Sequence, residues 1–225
     1  MKKSILLVMF ALLSVAGFSQ VSWNAKVGMN ISNFTGDLDV SAKVGVKLGV
    51  GMEYAFNDTW LLQPSLFLSQ KGAKFSATVS GDEADVKFNA MYFELPIMMA
   101  ARFNVANNTN IVVSAGPYMA YGVGGKTSVD VWLPIPGTTG IQTVHKEYKL
   151  NTFGSITDGN MGCKRFDAGV GLGIAYEYRR IVVGLEGQLG LVKIHDGFSE
   201  LIDIKELEDN ALKNLSAFVT VGYKF

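Results

Sequence analysis

The side chains most often used for nucleophilic and metal chemistry are scarce: one cysteine, Cys163, and two histidines, His145 and His195. A lone cysteine builds neither an internal disulfide nor a cysteine-based zinc site. His195 precedes Asp196, a pair that could exchange protons, yet sequence neighbours on a strand point opposite ways and need not meet. Neither histidine falls inside a strand-patterned segment beside a serine, the arrangement that a lipid-modifying enzyme at a membrane edge would use. The acidic run Glu200 to Asp209 lacks EF-hand spacing for calcium. The sequence therefore predicts no catalytic residues, no metal and no cofactor. What stands out instead is a set of charged residues set into apolar segments: Lys47, Glu53, Glu94, Arg102, Asp167, Glu177 and Glu186, with Gln188. Such a set could line a polar path or supply a catalytic carboxylate pair. It could equally be a salt-bridged filling, since charges removed from water must be paired. The filling is the expectation.

The segments carrying these residues alternate with period two. Val44, Val46, Leu48, Val50, Met52, Tyr54 and Phe56 alternate with Gly45, Lys47, Gly49, Gly51, Glu53 and Ala55. Phe166 to Tyr178 does the same, and so does the C-terminal series Leu215, Ala217, Val219, Val221, Tyr223 and Phe225. Period two means a strand with one apolar face. Eight such segments follow one another, at 21–31, 44–56, 60–69, 92–103, 110–123, 166–178, 181–192 and 215–225. Each is about ten residues or longer, as a tilted transmembrane strand requires. Short connections at 57–59, 104–109 and 179–180 alternate with long ones at 32–41, 71–86, 124–164 and 195–213. The predicted fold is all-β: an eight-stranded antiparallel transmembrane β-barrel, up-and-down, with short periplasmic turns and long extracellular loops. Eight strands put both termini on the periplasmic side. Upstream, Lys2 and Lys3, the apolar run Ser4–Val15 and the small residues Gly17 and Ser19 read as a cleaved export signal over residues 1–19. Residues 20–225 are left as one barrel domain.

Composition agrees. Among 225 residues, 20 are basic and 20 acidic, without the basic excess of a nucleic-acid binder. Charged residues make up 18%, against about 25% in a soluble domain. Trp23, Tyr54, Phe56, Trp60, Phe103, Tyr176, Tyr178, Tyr223 and Phe225 all fall beside a terminus or a short turn, on the apolar face. A belt of rings at one membrane interface accounts for that clustering. The opposite face is rich in glycine (Gly45, Gly49, Gly169, Gly171, Gly173), which suits a crowded lumen. A soluble eight-stranded barrel, apolar face inward, is the alternative architecture. Pro64, Pro96 and Pro117 each remove a ladder donor inside a strand, and bulges or bends are expected there.

Several motifs then stand in order. They are Ser69-Gln70-Lys71-Gly72, Tyr92-Phe93-Glu94-Leu95-Pro96, Gly116-Pro117-Tyr118, Phe166-Asp167 and the terminal Gly222-Tyr223-Lys224-Phe225. Together they resemble the PorT-like outer-membrane β-barrel domain family over nearly the whole mature chain. The resemblance implies an eight-stranded barrel in an outer membrane and a terminal Phe225 read by the barrel-insertion machinery. It implies little about activity. The expected role is a non-enzymatic envelope protein, structural or recognising a partner through its surface loops. Outer-membrane lipid and the insertion machinery are the expected partners, with a surface or secretion-machine partner unidentified and no nucleic acid. A small channel is the first alternative and a lipid-modifying barrel enzyme the second. In the 124–164 loop, Pro134 to Gly140 reads as the tip of a hairpin that extends the fifth and sixth strands beyond the membrane. Val131, Trp132, Leu133 and Ile135 there could meet a partner, or pack on Ile141 and Val144. The Glu200–Asp209 stretch reads as a short acidic amphipathic helix.

Overall fold

The computed structural model describes residues 20–35, 40–79, 82–134, 143–193 and 212–225. The expected export signal, Ile135, His195 and the acidic 200–209 stretch lie outside them. Twelve strands occupy the described residues: β1 Val21–Thr35, β2 Val40–Ala55, β3 Trp60–Lys71, β4 Ala73–Val79, β5 Asp82–Lys87, β6 Ala90–Ala106, β7 Thr109–Gly124, β8 Lys126–Pro134, β9 Thr143–Asn151, β10 Phe166–Tyr178, β11 Ile181–Gly190 and β12 Lys213–Lys224. Eight of them close antiparallel in the order β1-β2-β3-β6-β7-β10-β11-β12, with β12 returning to β1 from Asn24↔Lys224 to Thr35↔Lys213. These are the eight alternating segments, joined up-and-down into one barrel.

The apolar face points outward. Leu172 is 68% exposed, Val27 62% and Leu185 56%, while Lys47, Glu94 and Asp167 on the opposite faces are fully buried. A soluble barrel would show the reverse, so this wall belongs in hydrocarbon. At the turn end Phe56, Trp60, Phe103, Tyr176, Tyr178, Tyr223 and Phe225 face out. A second row, not anticipated from sequence, faces out at the loop end: Phe93 pairs with Tyr121, and Tyr121 with Phe166. Phe166 and Tyr176 are ten residues apart on one strand. At about 3.3 Å per residue and a tilt of about 40°, they bracket a band about 25 Å tall, the height of an outer-membrane apolar belt.

The prolines interrupt the ladder without shifting it. Between β3 and β6 the ladder holds at Pro64↔Ile97 and resumes in the same register at Phe67↔Glu94. Between β6 and β7 it holds at Pro96↔Tyr118 and resumes unchanged at Met99↔Ala115. No bulge forms at either place. The β6–β7 register shifts at the strand ends instead, between Met91 and Tyr92 and between Asn104 and Ala106. Losing one ladder bond costs less than a one-residue slip, which would turn every later side chain to the wrong face.

The remaining four strands continue from the loop end of β2 as a sheet ordered β2-β4-β5-β8-β9. The 71–86 segment, expected as a loop, is the β4–β5 hairpin. The Pro/Gly-tipped hairpin is β8–β9, but it docks through β8 on β5 rather than prolonging β10. Gly125, at φ +143°, turns the chain from β7 into β8. After β9, residues 152–165 fold back over the barrel through a 3-10 turn at Ile156–Asp158, a Phe153↔Cys163 bridge and a bond from Gly122 N to Arg165 O at 2.6 Å.

Candidate functional site

The barrel interior brings charged residues from six strands into two rings. At the turn end, Arg102 of β6 donates from Nη2 to Glu53 Oε2 of β2 at 2.6 Å and from Nε to Glu177 Oε2 of β10 at 3.0 Å. Lys224 of β12 bonds the same two carboxylates, at 2.8 Å to Glu53 and closely to Glu177. Gln63 donates to Glu53 and Asn110 to Glu177. Two cations and two carboxylates thus bridge four strands.

The second ring lies nearer the loop end. Lys47 sits 3.5 Å from Glu94 and 3.3 Å from Glu186. Lys71 pairs closely with Glu94, lies 4.0 Å from Asp167 and donates to Gln188 Oε1 at 3.1 Å. Tyr118 and Asn214 both donate to Asp167 Oδ2, at 3.2 and 2.8 Å. The two ammonium groups also lie against rings: Lys47 is 3.8 Å from the Phe218 centroid and Lys71 4.8 Å from that of Tyr118. Ring faces carry negative potential, so they help hold cations inside the wall. Between the rings, half-buried Lys26 faces a polar cavity of about 40 Å³ lined by Glu53, Ser114, Glu177, Glu186 and Thr220. That is room for about three waters. Lys26, Lys47, Lys71, Arg102 and Lys224 balance Glu53, Glu94, Asp167, Glu177 and Glu186, which is what removal from water demands.

Glycines on the lumen face are sized to these neighbours. A Cβ at Gly49 would sit 2.6 Å from the Phe67 ring, and one at Gly169 2.7 Å from that of Tyr118. Above the second ring the loop end is closed by an apolar cluster that includes Phe34, Phe88, Phe153, Met161, Cys163 and Leu212. The Phe153 ring lies directly over Gly122, meets Tyr92 edge-on at 5.4 Å between centroids and has the Arg165 guanidinium 5.4 Å from its own centroid. Burial there pushes the Cys163 thiol up to about 12. Higher still, on the β-sheet, Asp130 draws the Lys87 ammonium to 2.8 Å and raises its pKa by hydrogen bond and charge.

All seven charged residues singled out by sequence therefore meet inside the barrel. Lys26, Lys71 and Lys224 complete the network and were missed. Strand parity held the signal: Lys71 shares its face with Phe67 and Ser69, and Lys224 with Phe218 and Thr220. The sequence pattern ends this strand at Ser69 and leaves Lys71, two residues on, in a loop, whereas β3 runs to Lys71. Of the suggested recognition residues, Val131, Trp132 and Leu133 lie in β8, paired with β9 at Lys146, His145 and Val144. Among the described residues no group of three His, Cys, Asp or Glu could hold a metal ion.

The family described as "Outer membrane protein beta-barrel domain" matches residues 18–196. No curated sequence relative matches the chain. Similar solved structures include Ail, the attachment invasion locus protein of Yersinia pestis, at 13% identity and TM-score 0.40, covering 92% of this chain and 99% of that one. Neisserial surface protein A is similar at 10% identity and TM-score 0.42, covering 92% and 98%. OprG of Pseudomonas aeruginosa is similar at 8% identity and TM-score 0.46, covering 92% and 96%.

Proposed function

The chain belongs to the outer membrane protein β-barrel domain family, and from that premise we propose that it is a non-enzymatic envelope barrel that presents its loop-end sheet to a partner. One observation carries this reading: the lumen is occupied along its height by the two charge rings and closed by the Phe153 cluster. A filled lumen leaves the surface above the bilayer as the part of the molecule free to recognise anything. In this proposal residues 1–19 are cleaved on export, both termini face the periplasm, and Phe225 is read by the insertion machinery. The finer placement among PorT-like barrels rests on the sequence motifs alone. The charged lumen residues serve structure, not turnover.

A photo-crosslinking amino acid at Tyr148, half exposed on β9, tests the proposal in native membranes. Placement at Leu172, on the lipid-facing wall, is the control. A protein adduct of defined mass at position 148 and none at 172 is expected. No adduct at 148 would contradict the recognition role.

A further inference from the structure

We propose that the loop-end sheet pairs with a second copy of this chain, edge to edge and antiparallel through β9, about a twofold axis at Tyr148. This rests on the reading that the sheet recognises a partner, and it names that partner. The sheet order ends at β9, which pairs with β8 on one side and, among the described residues, with no strand on the other. Lys146, Glu147, Tyr148 and Lys149 are all exposed, on both faces of the strand. Such an edge offers a row of N–H and C=O groups that another strand can take up. The open stretch stops at Asn151, whose carbonyl already accepts from Met161 N at 3.0 Å.

The occupant follows from three rows of residues that cross β5, β8 and β9 and stop at this edge. Asp85, Asp130 and Glu147 stand opposite one another in an acidic row. Two residues along and on the same face, Lys87, Ser128 and Lys149 make a basic row. Lys87 reaches Asp130 at 2.8 Å and Lys149 reaches Glu147 at 3.2 Å, yet the Glu147 and Lys149 side chains stay about half exposed. On the other face Val86, Val129 and Tyr148 form an apolar row that ends in half-exposed Tyr148. In an antiparallel ladder, opposed residues both turn their hydrogen-bonding groups toward the partner strand or both turn them away. Two identical edges can therefore meet only with the twofold axis at a residue, never between two. An axis at Lys146, Glu147 or Lys149 sets like charges face to face, which is unfavourable. An axis at Tyr148 sets Glu147 against Lys149 of the second copy, and Lys149 against its Glu147, so each acidic row runs on into a basic one. It also pairs Tyr148 with its symmetry mate and lays the Lys146 stem beside Leu150, contacts that favour pairing. Edge lysines deter strands at large; on an identical edge Lys149 meets a carboxylate.

The test is disulfide trapping of the full chain in native membranes. Directly opposed Cα atoms in the ladder lie about 4.5–5.5 Å apart, inside the range a disulfide spans, and the native Cys163 is buried. Y148C should give an oxidised dimer of twice the monomer mass. E147C alone should not, because its symmetry mate lies diagonally across the ladder, whereas E147C co-expressed with K149C should. In the Y148C background E147K should lower the dimer yield roughly tenfold, since two attractive pairs become repulsive, and E147K/K149E should restore it. A heat-shifted band on gels confirms that every variant closes its barrel. Absence of a Y148C dimer, or equal yields with and without E147K, would overturn the proposal. A photo-crosslink from position 148 to a different protein would also overturn it while supporting the recognition role, and no adduct there would contradict both.

Discussion

Cys163 shows what a single residue reports about the loop end. The thiolate is the reactive form, and burial pushes the Cys163 thiol from about 9 to about 12. The sign is that of an acid raised on folding. Between those two values the unfolded chain ionises and the folded one does not, so stability falls as pH rises through that window and is unaffected below it. At pH 8, iodoacetamide should modify Cys163 on the order of a thousandfold faster in urea than in the folded barrel. Comparable rates would mean that the cluster is open. Phe153→Ala removes the ring that covers Gly122 and stacks on Tyr92. A buried aromatic truncation costs roughly 3–5 kcal/mol, here borne by the cap and not the barrel wall. Alkylation of Cys163 should therefore speed up while the gel shift that marks a closed barrel persists. Loss of the shift would place Phe153 in the barrel core itself.

At the scale of elements, the barrel strands were legible because two constraints act on each of them. Lipid outside and crowding inside force opposite chemistry on alternate residues of the same strand. Both faces of β2, from Val44/Val46 to Lys47/Glu53, are explained by position alone. β4 obeys only one of these constraints. Ala73, Phe75, Ala77 and Val79 do alternate, but over seven residues, too few to cross a membrane, so length hid a strand whose pattern was present. Partner choice was not legible either: nothing local to Lys87 or Asp130 states that β5 lies beside β8. The outward face predicts that Leu185→Arg costs roughly 2–4 kcal/mol if it lies near the midplane, read as urea stability in lipid vesicles. Unchanged stability would remove that face from hydrocarbon. Inside, Arg102→Met leaves Glu53 and Glu177 to share Lys224. Breaking a buried pair costs roughly 3–5 kcal/mol. Adding Glu177→Gln should recover part of that loss, because the ring again balances charge. If the double variant is less stable than Arg102→Met alone, the ring does not act as a charge-balanced unit.

Across the whole molecule the strands close a cylinder whose width follows from their number. Eight strands enclose just enough space for side chains, whereas open aqueous pores come with about 16–18. Here that space holds five cations, five carboxylates and the rings of Phe67, Tyr118 and Phe218, beneath a cap of apolar side chains. Lumen residues exposed to a pore would carry ions. Lumen residues paired across four strands hold the wall together and leave recognition to the surfaces outside it. The most direct measurement is conductance of the purified barrel in a planar bilayer with about 1 M KCl, where the screening length is about 3 Å and electrostatic barriers are suppressed. The filled lumen predicts no stable unitary current. Steady steps whose size changes in Glu94→Ala or Arg102→Ala would show an open path through the rings and contradict it.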